Sequence, residues 1–354
     1  MLKADVNVDF LIAGQGLAGS LLALELLKHN IDFRIIDPDE EITSSRIAAG
    51  IIHPISGRRL IKTWNADQMI PAAFRIYKEI ALKIDSDFFY PVRLIEIYQS
   101  NHHRNDWMGR SGDPSMTQYI GNEIAASDFS KAVIAPFGGI SILQSGWMDV
   151  KKFVGACRFY FKKKNLLIDG NINDSEVTIF NHQVIWKNVL AQKLIFCNGY
   201  KGIQSDFFKN LPFLLSKGEI MEIEAKELHT NDLLNRGIYI VPTSENRYKV
   251  GATFSWNELN QLPSQSARNF LSDELRKITT APFSILNHMA AIRPTTKDRR
   301  PFIGLHSASP SIGIFNGMGT KGVMMAPYYA EQFVRHLIAN GSLEKEVSIT
   351  RFPH

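Results

Sequence analysis

Cysteine is nearly missing from this chain: Cys157 and Cys197 are the only two in 354 residues. They show neither the spacing of metal ligands nor a disulfide framework, so a metal site and a stapled secreted fold are both excluded as organising principles. No hydrophobic run has the length and purity of a membrane span. The most apolar stretch, residues 10–27, is bordered or broken by Asp9, Gln15 and Glu25 and follows no positive cluster, which also argues against a signal peptide. Neither sign of charge dominates, with a formal net charge of +5 and a pI near 9.0. Basic residues cluster at 58–59, 162–164 and 297–300, yet no aromatics interleave with them as in a nucleic-acid-binding sheet, and they read as solvated surface. Repeats and low-complexity segments are missing as well. The one linker-like stretch, 257–266, reads as a surface loop. The expectation is a soluble, cytoplasmic chain. Its length and 45% hydrophobic content suffice for about two domains and a large core.

What is present is a phosphate cradle near the N-terminus. The apolar run Phe10-Leu11-Ile12-Ala13 leads into Gly14, Gly16 and Gly19, with Leu17 and Ala18 between them; seventeen residues then separate Gly19 from Asp37. Strand, glycine triplet, helix, second strand and acid follow in the order that a dinucleotide site requires. Gly14 makes the tight turn, Gly16 lets backbone approach a pyrophosphate, and Gly19 lets the helix pack on the strand. The amides at the start of the helix meet the phosphate charge, and Asp37 arrives where a ribose hydroxyl lies.

Downstream the pattern interleaves two kinds of segment. Residues 43–57 are small and polar around Ala48-Ala49-Gly50, and a helical period covers 67–84. Residues 90–99 alternate as a strand does, with further short strands before Gly138. Trp147-Met148-Asp149 opens a helix to about 164, with Asp149 as N-cap. Residues 166–168 and 193–197 read as strands, 177–186 as a hairpin. Between 205 and 292 the sequence is strand-rich, at 218–223, 237–241 and 248–254, with a helix at 267–277. A strand at 312–315, a glycine turn at 317–319 and a helix at 322–340 close the chain. A nucleotide lobe assembled from three separated pieces suits a large, permanently held cofactor better than a nicotinamide. The expected fold is α/β, α+β overall. A discontinuous Rossmann-like nucleotide domain (1–85, 145–204 and 293–354) accompanies a β-rich substrate domain (86–144 and 205–292) with an antiparallel sheet and flanking helices.

The order of motifs resembles the FAD-dependent amine and D-amino-acid oxidoreductase family, the group of glycine oxidase, sarcosine oxidase and D-amino-acid oxidase. The residues that carry the resemblance are the fingerprint through Asp37, Ser44-Ser45-Arg46-Ile47-Ala48-Ala49-Gly50, Cys197-Asn198-Gly199, Tyr239-Ile240-Val241-Pro242 and Val250-Gly251-Ala252-Thr253. Most specific are Ile292-Arg293-Pro294-Thr295-Thr296-Lys297-Asp298, Pro301-Phe302-Ile303-Gly304, and Gly317-Met318-Gly319-Thr320-Lys321-Gly322. The last block is also similar to the flavin domain of the bifunctional enzyme that modifies the wobble uridine of tRNA. The expectation from this sequence is that no methyltransferase half accompanies it.

The resemblance implies noncovalent FAD, since no cysteine matches the one that anchors the cofactor in sarcosine oxidase. It assigns Asp37 to the ribose; Gly14, Gly16, Gly19, Ser44, Ser45 and Arg46 to the pyrophosphate; Ala49, Gly50 and Gly199 to the cofactor's surroundings; and 317–322 to the flavin's polar end. It implies that Arg293 binds a substrate carboxylate with its two-pronged guanidinium, assisted by Tyr239. His53 and Lys321 depart from the glycine oxidase pattern and are candidate active-site residues. No catalytic residue is certain, because the flavin carries the hydride chemistry. The implied reaction is oxidation of the C–N bond of a small amine or amino acid, with electrons passed to oxygen or another acceptor. The alternatives are tRNA wobble-uridine modification, oxidation of a 2-hydroxy acid, and a nonenzymatic flavin-binding sensor or scaffold.

Overall fold

The computed structural model describes residues 6–57 and 60–352. The basic pair at 58–59 lies outside them. Over residues 10–13 the first strand, Val6–Ala13, alternates: Phe10 and Ile12 pack into one core, and Leu11 and Ala13 into another on the opposite face. A period of two with both faces apolar is the signature of a strand buried inside an α/β layer. It pairs in parallel with Phe33–Asp37 on one side and Val189–Phe196 on the other. Leu167–Asp169 extends the sheet beyond Phe33–Asp37, also in parallel, and Ile312–Asn316 pairs in parallel with the far end of Val189–Phe196. The antiparallel hairpin Val177–Phe180 and Gln183–Trp186 joins one margin, and Phe302–Leu305 pairs antiparallel with Ile312–Asn316.

Four helices cover one face of this sheet: Leu17–Lys28, Ala66–Ile84, Val150–Lys163 and Gly322–Ala339. Their apolar residues, among them Leu21, Leu24, Ile76, Phe153, Phe161 and Phe333, share a single core with Phe10 and Ile12. Each such side chain taken from water contributes roughly 1.5–3 kcal/mol. Lys162 and Lys163 occupy the last turn of Val150–Lys163, where their charge complements the helix dipole.

A second eight-stranded sheet runs in the order Ser284–Arg293, Ser216–Glu224, Arg247–Gly251, Tyr239–Ser244, Leu233–Asn235, Leu94–Ile97, Gly139–Ile142, Ile120–Ile124. All its pairs are antiparallel except Leu233–Asn235 with Leu94–Ile97. Met221, Ile223, Ile240 and Val250 on one face pack against Leu271 and Leu275 of helix Gln265–Arg276. The opposite face turns toward the first sheet and forms one wall of a cavity.

Several elements differ from the sequence expectation. Residues 101–111 form a helix, capped by Ser100, whose side chain accepts from the His103 amide, where only short strands were expected. This helix is polar almost all round and buries only Trp107, so it offers little hydrophobic period to read. The fingerprint helix, expected from the leucine-rich run at about 20–29, spans Leu17–Lys28 and so begins three residues earlier. Trp147 and Met148 belong to a short strand, Gly146–Met148, and the helix opens only after Asp149, whose carboxylate accepts from the Lys152 amide at 3.1 Å. The expected strand at 90–99 is two shorter ones, Phe89–Tyr90 and Leu94–Ile97. The expected strand at 248–254 stops at Gly251, and that at 237–241 begins at Tyr239.

Candidate functional site

A cavity of about 1640 Å³ separates the two sheets. Ordinary single-ligand pockets are smaller, about 300–1,000 Å³, so the space suits a cofactor and a second molecule together. Every residue singled out from the sequence as a cofactor or substrate contact lines it except Gly19: Gly14, Gly16, Leu17, Ala18, Asp37, Ser44, Ser45, Arg46, Ala49, Gly50, Gly199, residues 317–322, His53, Tyr239 and Arg293.

At the fingerprint, Gly14 has φ +100°, and a Cβ there would meet the Cys197 carbonyl oxygen at 2.8 Å; a Cβ on Gly19 would lie 1.9 Å from the Gly14 carbonyl oxygen. These two glycines make the turn and the close packing, and leave the cavity floor bare. Gly16 caps the helix without a side-chain oxygen of its own. The Leu17 amide donates to Ser45 Oγ at 3.0 Å, and by helix geometry the next amides look outward for an acceptor. Helix Gly322–Ala339 likewise begins at the cavity without a side-chain cap. Two helix N-termini aimed into one cleft form a setting for an anionic, elongated group. Gly50 also lines the cavity, and a Cβ there would lie 1.9 Å from the Met148 carbonyl oxygen, so its lack of a side chain permits a close backbone contact.

Asp37 is held more tightly than its position in the sequence suggests. Its Oδ2 accepts from the Gln15 amide at 2.7 Å, and its Oδ1 accepts from the Asp39 amide at 2.9 Å and from Arg158 Nη1 at 2.8 Å. Arg158, buried on helix Val150–Lys163, also pairs with Asp39 and Asp169 at 2.9 Å each. Sequence reading missed it. The available signal was an arginine inside an otherwise apolar helical stripe, on a helix expected to pack beside the fingerprint. Arg46, expected near phosphates, bonds Asp39 at 2.5 Å, while the neighbouring Ser45 hydroxyl is the group that meets the fingerprint helix.

At the opposite end, His53 Nδ1 and the Tyr239 hydroxyl are 2.9 Å apart, and His53 Nε2 is buried with no hydrogen-bond partner. Burial, helped by the charge of Lys321, pushes the His53 imidazole down to about 3, so it is neutral at pH 7. Lys321 Nζ donates to Thr63 Oγ1 at 2.5 Å, and burial together with Arg299 and Arg300 lowers it to about 8. Burial raises the Tyr239 hydroxyl, with a further contribution from Glu96. Glu96 is also missed by the sequence reading. It lies buried in Leu94–Ile97, accepts from Asn235 Nδ2 at 2.6 Å, and burial pushes it up to about 8. A lone acid in an apolar strand was the signal.

Arg293 ends strand Ser284–Arg293. Its guanidinium donates to the Thr253 carbonyl at 3.2 Å and to the Lys217 carbonyl at 3.4 Å, and burial alone draws it down to about 10. Gly218 makes room for it, since a Cβ there would lie 1.8 Å from Arg293 Nη2. Among the described residues no carboxylate pairs with this arginine. Its five N–H donors exceed the carbonyls it meets.

A parallel sheet with a glycine turn at a helix N-terminus, faced by an antiparallel sheet across one deep cleft, defines a dinucleotide-binding flavoprotein architecture. The chain belongs to the family described as FAD dependent oxidoreductase (DAO), whose model matches residues 9–335, and FAD is its cofactor. It is similar to a glycine oxidase of Bacillus subtilis (strain 168), 31% identical over 131 residues, covering 34% of this chain and 35% of that protein. It is also similar to the tRNA 5-methylaminomethyl-2-thiouridine biosynthesis bifunctional protein MnmC of Legionella pneumophila (strain Corby). That match is 26% identical over 314 residues, covering 83% of this chain and 45% of the relative. The chain thus spans less than half the length of either. The crystal structure of glycine oxidase from Geobacillus kaustophilus shares the fold, with a TM-score of 0.82 and 17% identity over 99% of this chain and 100% of that one.

The residues present fit FAD: the bare cradle, two uncapped helix starts and the orphaned His53 Nε2 all face the cleft. Both cysteines are buried and free, and burial raises both thiols. Among the described residues no group of three or more His, Cys, Asp or Glu is placed to hold a metal, and no helix is long and apolar enough to cross a membrane.

Proposed function

We propose that this protein oxidises the C–N bond of a small amine that carries a carboxylate. The observation that carries the reading is Arg293, a cavity-lining guanidinium at reduced pKa with no acid beside it. An uncompensated cation in a partly desolvated site is costly unless a ligand supplies the negative charge, and a guanidinium matches a carboxylate with two parallel bonds. FAD, when bound, supplies the acceptor for a hydride from the carbon next to nitrogen.

The chain's own groups then bind, orient and exclude water. Arg293 fixes the carboxylate, and Tyr239, across the antiparallel wall, presents a hydroxyl that burial keeps protonated. His53 is neutral at working pH. It acts as a hydrogen-bond partner through Nε2 rather than as a reservoir of protons, because a group titrating near 3 gives up its proton too readily to hold one at pH 7. The positive end of helix Gly322–Ala339, with Lys321 at its cap, stabilises negative charge on the cleft's polar end. Asp37, held by Arg158, grips the adenosine ribose, and Ser45 with the first amides of the fingerprint helix faces the pyrophosphate. On this reading the cofactor-holding segments are 1–85, 145–204 and 293–354, and the substrate-facing segments are 86–144 and 205–292. FAD is held noncovalently and is released by acid precipitation.

A second reading is modification of an aminomethylated wobble uridine in tRNA. The similarity to the Legionella bifunctional protein favours it, because that match covers most of this chain. One experiment separates the readings: anaerobic mixing of the purified yellow protein with D-amino acids, N-methylglycine, 2-hydroxy acids and carboxymethylaminomethyl-uridine tRNA, following loss of visible absorbance. Bleaching by a carboxylated amine supports the proposal; bleaching by the tRNA or a hydroxy acid alone replaces it. No bleaching with any donor leaves a flavin-binding sensor or scaffold as the function. Regeneration of colour by air, or by a quinone only, identifies the electron acceptor.

A further inference from the structure

We propose that Phe254 and Trp256 form a second substrate subsite at the mouth of the cleft, which receives an apolar, aromatic-sized group on the same molecule whose carboxylate Arg293 holds. The inference rests on the reading above and names its substrate class: a carboxylated amine with a bulky apolar substituent rather than glycine itself. Phe254 covers one face of Arg293, with its ring centre 5.5 Å from the guanidinium carbon, within cation–π range. Trp256 meets Phe254 edge to face at 4.6 Å. Both rings line the cavity, together with Leu214, and yet remain 45% and 53% exposed.

The segment that carries them is fixed. Lys217 and Ser255 exchange backbone hydrogen bonds of 2.8 and 3.0 Å, and the Glu219 amide donates to Thr253 Oγ1 at 2.9 Å. At the far end, the Ser264 amide and hydroxyl donate to the Glu219 carboxylate at 2.8 and 2.9 Å, and Lys217 Nζ donates to Asn260 Oδ1 at 2.9 Å. Lys217 and Glu219 are themselves buried. Two aromatic rings held open to water by a loop tied at both ends form a pre-organised apolar contact, and pre-organisation lowers the entropic cost of binding. Phe254 lies beside Arg293 and Trp256 beside Phe254, so a phenyl-sized group on a ligand anchored at Arg293 meets an apolar contact that a shorter ligand leaves open.

The test uses the FAD-loaded protein and two carboxylate probes, acetate and phenylacetate, titrated by the shift of the flavin's visible spectrum. Phenylacetate is expected to bind at least tenfold more tightly. Trp256→Gln is expected to shrink that preference to under threefold with acetate affinity and FAD content unchanged, and the pair Phe254→Leu/Trp256→Gln is expected to shrink it further with FAD content unchanged. Because both rings are about half exposed, these variants keep the fold, and the melting temperature verifies it. Equal affinity of the two probes, or a preference that survives the double substitution, overturns the subsite. Loss of self-association in Trp256→Gln with the preference intact also overturns it and assigns the rings to an interface between copies. The outcome is independent of turnover: a phenylacetate preference with no amine able to bleach the flavin keeps the subsite and removes the oxidation reading.

Discussion

The two ends of the cleft handle charge in opposite ways. At the fingerprint end, proposed to hold adenosine, charges are paired within the protein: Arg158 with Asp37, Asp39 and Asp169, Arg46 with Asp39, and Lys201 with Glu40. At the Arg293 end, among the described residues, Arg293 has no acid and His53 Nε2 has no partner, and burial pushes His53 and Lys321 toward their neutral forms. A permanently held group rewards an end that is complete before it arrives. A ligand that comes and goes is selected by an end that lacks what the ligand brings.

The largest way to break this contrast is to fill the cradle. Gly19→Val puts a Cβ 1.9 Å from the Gly14 carbonyl oxygen, a separation that forces the turn apart. The expected result is protein that retains no FAD, read from the visible spectrum, with a melting temperature lowered by many degrees. Next, Arg293→Met removes the carboxylate's partner. Hydrogen bonds to charged groups are worth about 1.5–3 kcal/mol, so the apparent dissociation constant for a carboxylated donor should rise about 10–100-fold in anaerobic titrations while FAD stays bound.

Arg158→Met sharpens the other side of the comparison. Removing it leaves three carboxylates clustered without their cation and Asp37 held only by the Gln15 and Asp39 amides. FAD affinity should fall about tenfold or more, whereas FMN, which lacks the adenosine ribose, should bind the variant and the parent equally. Equal losses for both flavins would assign Arg158 a purely structural role.

The smallest effect concerns Glu96. Its folded-state pKa of about 8 stands above the ordinary value of 4.5, so the folded state binds more protons between those limits and stability falls as pH rises from about 4.5 to about 8. Glu96→Gln should flatten that part of the stability profile in urea melts. His53 acts in the opposite sense: with a folded value near 3 against 6.5, it contributes stability that is lost as pH falls through that window.

How much of this contrast the sequence carries follows from how each end is built. The adenosine end is local: Gly14, Gly16, Gly19 and Asp37 sit within one βαβ unit, so spacing alone reveals them. Arg158 is remote in sequence, and only packing of its helix brings it to Asp37. At the other end, Arg293 and Tyr239 stand out through family resemblance, whereas Gly218, Glu96, Phe254 and Trp256 depend on strand register and loop path. Arg293 crosses Gly218 because Ser216–Glu224 and Ser284–Arg293 pair with Gly218 opposite Ala291, a register no single-strand pattern specifies. Helix Asn101–Ser111 escaped notice for a simpler reason, since it has almost no apolar face.

On the proposed reading the substrate brings the carboxylate that no described residue supplies to Arg293. Anaerobic mixing of the holoprotein with N-benzylglycine and N-methylbenzylamine, amines that differ only in a carboxylate, checks this: rapid, saturable bleaching by the first and little or none by the second is expected, and equal bleaching by both would refute the pairing.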